Sequence, residues 1–159
     1  MIHFISGDLQ LVQKGIIGHQ VNILGKAGSG IVVGIRNTFT GWYEEYKSLC
    51  DNNEQNREAL LGVVQYFTVG QDLFVANLFA QFSIKPFNRN TDIPALTKCL
   101  TNLHETALAH GMDVYLPNLL ASVRGGMDWE AEIYPIIEKL FVESSVNLFL
   151  VDYVKGQAI

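Results

Sequence analysis

Two short glycine-containing segments carry the residue types best suited to chemistry in this chain: GKAGSG at 25–30 and SVRGGMDW at 122–129. Glycine admits positive φ and, having no Cβ, lets an anion approach the backbone N–H groups. Each segment follows a β-prone run and precedes a helical pattern, so each stands before the partly positive start of a helix. In an α/β sheet both lie at the carboxyl ends of strands, where ligands bind, and together they predict a cleft for a pyrophosphate. Taken singly, either loop also reads as an ordinary tight turn. The first is neither a Walker A loop, since no G-K-[ST] follows at the required spacing, nor a GxGxxG fingerprint. No acidic residue ends the next strand to hold a ribose.

The elements that must position these loops follow from periodicity. IHFI (2–5), IIGHQVN (16–22) and DVYLP (113–117) read as strands, as does VNLFLVDY (146–153). GVVQYFTV (62–69) and LFVANLFAQF (73–82), separated by the turn-like GQD, read as an antiparallel hairpin. A helix opens at the glycine cluster over 29–38, and WYEEYKSLC (42–50) forms a second helical piece. From Thr91 the apolar residues Ile93, Leu96, Leu100, Leu103 and Ala107 fall three and four apart, with Asp92 as N-cap and Gly111 as C-cap. Ile133, Ile136, Ile137, Leu140 and Phe141 mark a last amphipathic helix. An interior proline costs about 3 kcal/mol, so Pro135 either bends this helix or sits in its first turn. DNNEQNREA (51–59) reads as an exposed loop or helix end. Runs such as LFVAN and LFLV lack strict alternation and suit strands covered on both faces. The expected fold is a three-layer α/β/α sandwich around a mixed central sheet.

Composition bounds the function. The 159 residues suit one domain spanning 1–159, and 48% hydrophobic with 17% charged residues describe a folded globule. Lys+Arg 11 against Asp+Glu 16 gives a formal net charge of -5, with the basic residues scattered, which disfavours nucleic-acid binding. An anionic ligand must therefore be held mostly by backbone N–H groups and helix ends. Cys50 and Cys99 stand far apart with no CxxC and no histidine at metal-ligand spacing, so no metal site is signalled. Two reduced, packed thiols are the expectation, with a lone disulfide as the alternative. No run approaches the roughly 18 apolar residues of a membrane span, and no signal peptide is evident, so a cytoplasmic location is expected.

Five motifs in order, GDL (7–9), HQVN (19–22), AGSGI (27–31), VANL (75–78) and GGMDW (125–129), resemble those of a macrodomain over nearly the whole chain. The branch most similar is the bacterial, phage and yeast one related to ADP-ribose-1″-phosphate phosphatases and terminal ADP-ribose protein glycohydrolases. The resemblance implies ADP-ribose or an ADP-ribosylated substrate as partner, with no cofactor and no metal. It implies that Asp8 accepts from the adenine amino group beside the Leu9 backbone, and that Asn22 approaches the distal ribose. Gly28, Ser29, Gly30 and Ile31 would surround the distal ribose and one phosphate. Ser122, Val123, Arg124, Gly125 and Gly126 would form the second phosphate loop, and Tyr153 would stack on adenine. Such a second loop usually reads GxGxxGG. Here it is LLASVRGG, with Ala121 and Ser122 where smaller backbone is expected and Arg124 in place of a small residue, either contacting phosphate or partly filling the cleft.

Hydrolysis at the distal ribose needs a positioned water and a general base or phosphate-strained geometry. The candidates are His19, Asn22 and Asp128. A histidine in a buried strand also serves as hydrogen-bonded structure, and Asp128, directly before Trp129, also reads as an N-cap. In the glycohydrolase branch a lysine after the first loop and an aspartate in the second carry a covalent mechanism; here that helix reads GIRNTF, with Arg36 and Asn37 and no lysine. Three functions follow: a hydrolase acting on ADP-ribose-1″-phosphate or ADP-ribosylated protein, a non-catalytic ADP-ribose reader, and a scaffold acting through protein or RNA contacts.

Overall fold

Strand β4 (Leu73–Gln81) shows why the sheet lies in the middle of the molecule: its last seven residues, Val75 to Gln81, are all buried. Successive side chains of a strand point to opposite faces. Val75 and Phe79 enter one apolar cluster and Ala76, Leu78 and Ala80 the other, so both faces of the strand are covered. The computed structural model describes Met1–Ile159. Around β4 stand β1 (Ile2–Gly7), β2 (Gly15–Asn22), β3 (Val64–Thr68), β5 (Val114–Pro117) and β6 (Leu148–Tyr153), in the order β1-β6-β5-β2-β4-β3. All pairs are parallel except the edge pair of β3 with β4, whose register runs from Val64↔Leu78 to Thr68↔Phe74. The predicted hairpin and mixed sheet are therefore present.

Helices α1 (Ile31–Thr38) and α2 (Trp42–Asn52) cover one face. Trp42, Tyr46 and Cys50, four residues apart, form the buried stripe of α2, with the Trp42 and Tyr46 rings stacked at 5.2 Å. Deleting a buried aromatic of this kind costs about 3–5 kcal/mol. Helices α3 (Ile93–His110) and α4 (Tyr134–Phe141) cover the other face. The Asp92 carboxylate accepts from Ala95 N at 2.8 Å and Gly111 closes α3 at φ 63, as the sequence predicts. Pro135 lies in the first turn of α4, behind a π-type turn at Trp129–Ile133, so the helix has no interior proline. Residues 54–60 form two 3-10 turns split at Asn56, outside α2. Cys50 and Cys99 are free thiols on opposite faces of the sheet, which rules out the lone disulfide. Burial pushes Cys99 up to about 12. No helix is long and apolar enough to cross a membrane.

Candidate functional site

The five parallel strands all run toward one edge, so the segments after β1, β2, β4, β5 and β6 emerge together there. β2 and β5 are neighbours, yet the chain leaves β2 toward α1 on one face and β5 toward α4 on the other. Such a divergence opens a crevice at the strand tips. The two glycine loops flank it.

The first loop is shaped by Asn22 at the end of β2. Its Nδ2 donates to Lys26 O at 2.8 Å, while its Oδ1 accepts from Leu24 N, Lys26 N and the Tyr46 hydroxyl at 3.0, 3.1 and 2.9 Å. These bonds curl residues 22–26 and release Gly28, Ser29 and Gly30 to the surface, where their N–H groups donate to no protein acceptor. Gly30 is the N-cap of α1 at φ 74 and contributes no side-chain cap, so the orphan N–H groups and positive end of the helix remain unanswered. Ile31 opens α1 directly behind it.

The second loop leaves β5 at Pro117 through two left-handed non-glycine residues, Leu119 and Ala121, both at φ 64. Ser122 N donates to Leu119 O and Met127 N to Ala121 O, closing the base of the loop at 3.0 and 3.2 Å. Between them the N–H groups of Val123, Arg124, Gly125 and Gly126 have no protein acceptor. Gly125 and Gly126 are dictated by space: a Cβ on the first would strike Thr91 Oγ1 and Ala121 O, and on the second Asn88 O. The loop is thus seated on the segment after β4. The stem of Arg124 crosses to the first loop, its Cγ 3.6 Å from where a Gly30 Cβ would stand. The two loops are therefore neighbours, in contact through the Arg124 side chain.

One expectation about the second loop fails. Its following helical turn is already capped: Asp128 Oδ1 accepts from Ala131 N at 2.9 Å and Asp128 N donates to Glu132 Oε2 at 2.8 Å. With Glu130 and Glu132 in the same turn, that helix start offers little to an anion. The second cradle relies on loop amides and Arg124 alone. Asp128 is exposed and engaged as this cap.

Asp8 and Tyr153 stand at the far end of the same edge, where β1 and β6 pair Gly7 with Tyr153. Asp8 is buried; Oδ1 accepts from Gln10 N at 3.1 Å and Oδ2 from Gly156 N at 3.0 Å, leaving a further lone pair on each oxygen. Tyr153 is 64% exposed. The turn Leu9–Leu11 packs on α1 through Gln10, whose amide lies against Gly34 and accepts from the Thr38 hydroxyl. From the β1 tip to the β2 tip is three strand spacings, roughly 14 Å. Asp8 and Tyr153 thus share the strand-tip edge with the two loops, at its far end.

His19 is elsewhere. The structure corrects its placement by the cleft: it is fully buried, with its ring 5.5 Å from that of Trp42. Trp42 Nε1–H, a donor only, gives its hydrogen to Asn77 Oδ1 at 2.9 Å, so the His19 Nε2 at 2.8 Å from that oxygen carries a proton and donates too. Asn77 Nδ2 passes the chain to Gln65 Oε1. Burial drives the imidazole pKa down to about 4 against the raising effect of the Asn77 bond, and Nδ1 has no partner. His19 is a neutral core residue. Asn22, similarly, has both polar atoms of its side chain engaged, by Leu24 and Lys26 in the first loop and by the Tyr46 hydroxyl of α2. No group of three or more His, Cys, Asp or Glu side chains is placed to hold a metal ion.

Asn77, Gln20, Asn90 and Thr91 were not legible as site residues in the sequence. Gln20 Nε2 donates to Thr91 Oγ1 at 2.9 Å, and Asn90 and Thr91 meet the second loop, tying the β2, β4 and β5 tips together. The HQVN motif includes Gln20 and the VANL motif includes Asn77, but neither motif gives these residues their contacts.

No protein-family model and no curated protein matches the chain. Among solved structures, a macrodomain protein from Streptomyces coelicolor is similar at 24% identity and TM-score 0.80, covering 97% of this chain and 100% of that one. The macrodomain of Mycobacterium tuberculosis DarG matches at 20% identity and TM-score 0.78, over 96% and 97% of the two chains. A variant macrodomain of Oceanobacillus iheyensis, with ADP-ribose, matches at 17% identity and TM-score 0.67, over 98% and 86%. At these identities the likeness is one of fold: this chain has the macrodomain fold.

Proposed function

We propose that the chain binds ADP-ribose or a derivative along the groove at the strand tips and acts on it at the distal ribose. The observation that carries the reading is the pair of facing loops whose N–H groups, Gly28–Gly30 on one side and Val123–Gly126 on the other, have no acceptor in the protein. Unanswered amides on two neighbouring loops attract an anion, and a diphosphate supplies acceptors for both loops. The diphosphate lies between the loops with Arg124 beside it. Asp8 and Leu9 take the adenine and Tyr153 stacks on it, while Ile31 and the first loop close over the distal ribose. A protein of the same fold is seen with ADP-ribose, which supports the ligand class.

Turnover in this reading comes from a water held by the first loop against the distal ribose, with the diphosphate clamped by both walls. It does not use His19, whose neutral ring is enclosed. The engagement of Asn22 and Asp128 in local backbone bonds favours the second reading, an ADP-ribose reader without turnover. Incubation with ADP-ribose-1″-phosphate and with ADP-ribosylated protein separates the two. Release of phosphate or ADP-ribose above the rate of a Gly30→Glu control supports the hydrolase; binding with no release supports the reader. Absence of binding to any of these ligands contradicts both.

A further inference from the structure

The geometry points to Asn90 as the positioning residue that aims the second phosphate loop, an inference that rests on the proposed diphosphate site. Asn90 lies in the segment after β4, is 3% exposed, and takes no part in any catalytic candidate set. Its Nδ2 donates to Arg124 O at 3.1 Å and to Lys85 O at 2.9 Å. Its backbone N donates to Gly125 O at 2.7 Å, joined by Thr91 N at 3.2 Å. The carbonyls of two successive loop residues are thus both drawn toward one asparagine.

A trans peptide is planar, and its C=O and N–H point in opposite directions. Every peptide bond here is trans. Holding the Arg124 carbonyl toward Asn90 turns the Gly125 N–H away from it, and holding the Gly125 carbonyl turns the Gly126 N–H away likewise. Those two N–H groups have no acceptor in the protein, as expected for amides turned out of the body of the loop. Without the side-chain clamp, the Arg124–Gly125 peptide is free to flip, since Gly125 carries no Cβ to restrict rotation, while the Gly125 carbonyl stays held by the backbone N–H groups of Asn90 and Thr91. Asn90 therefore fixes the direction in which the loop presents its hydrogen-bond donors.

The asparagine cannot satisfy the same bonds the other way round. Both neighbours of Nδ2 are carbonyl oxygens, so the amide orientation is set, and it leaves the buried Oδ1 without a partner. The clamp on two carbonyls accounts for the presence of this asparagine.

The test compares wild type with Asn90→Ala, which removes the side-chain clamp while leaving the backbone bond to Gly125 O. Binding of ADP-ribose and of adenosine is measured by calorimetry, and the amide signals of Gly125, Gly126 and Gly28 by 15N NMR on the free proteins. The expected result is a loss of at least ten-fold in ADP-ribose affinity with adenosine unchanged within two-fold. The Gly125 signal is expected to shift or broaden most, while Gly28 stays in place. Equal losses for both ligands, or unchanged glycine signals, overturn the assignment. If wild type fails to bind ADP-ribose, the proposed function falls, and the glycine signals alone then decide whether Asn90 orients the loop. Asn90→Asp, which keeps the shape and loses the donors, is the second variant should alanine impair folding; its retaining wild-type glycine signals would likewise overturn the clamp.

Discussion

Asp8 and His19 are both buried and polar, and the contrast between them separates the proposed adenine contact from a core bond. Asp8 keeps free lone pairs after accepting from Gln10 N and Gly156 N. Asp8→Ala is expected to weaken ADP-ribose by about 1.5–3 kcal/mol, roughly ten- to hundred-fold, the usual worth of a hydrogen bond to a charged group. Ribose-5-phosphate, which presents no adenine, is expected to bind the variant as it binds wild type; equal losses in a calorimetric comparison would refute the contact. His19 contributes through pH instead. Its folded pKa near 4 lies below the ordinary 6.5, so the unfolded chain binds more protons between those values. Stability is full above about pH 6.5 and falls as pH drops toward 4, by up to about 3 kcal/mol at 1.36 kcal/mol per unit. Urea unfolding across that range checks this, and His19→Gln is expected to flatten the slope. The sequence showed His19 on a strand but not its enclosure, because that depends on Trp42 and on Asn77, 58 residues away.

At the scale of elements, the two loops differ in how they obtain their shape. The first has Gly30 at φ 74 and an uncapped helix behind it. Gly30→Glu adds a side chain where only glycine is at ease, costing about 1–2 kcal/mol in the folded state. Its carboxylate also competes for the amides and for Arg124, so ADP-ribose affinity is expected to fall at least a hundred-fold while the circular dichroism spectrum is kept. The second loop holds Ala121 at φ 64 without a glycine. Ala121→Gly removes left-handed strain of about 1–2 kcal/mol, against about 0.5–1 kcal/mol of chain entropy and about 0.8 kcal/mol for the buried methyl, so the net change is expected to stay within about 1 kcal/mol of zero. A Tm within a few degrees of wild type confirms it; a larger fall shows that methyl packing outweighs the strain. Glycine spacing and strand runs made both loops legible in the sequence, and α3 with its Asp92 and Gly111 ends was legible almost to the residue. The occupied helix start at Asp128 was half legible: its N-cap role was readable, its neutralising of the helix end was not.

For the whole molecule, the layered arrangement follows from apolar runs covered on both faces, and the order β1-β6-β5-β2-β4-β3 places the loops side by side. Patterning announces such layers, but not which strands become neighbours. The bonds joining Asn90 to Arg124, 34 residues apart, exist only once β4 and β5 flank β2, and no local spacing encodes them. With a net charge of -5, the proposed anion site has to rely on backbone amides, the start of helix α1 and Arg124. The most direct test is a calorimetric titration of ADP-ribose into wild type and Gly30→Glu at equal concentration and salt. Saturable one-to-one heat in wild type that disappears in the variant is the predicted result. No heat in wild type, or the same affinity in both proteins, would contradict a diphosphate held between the two loops.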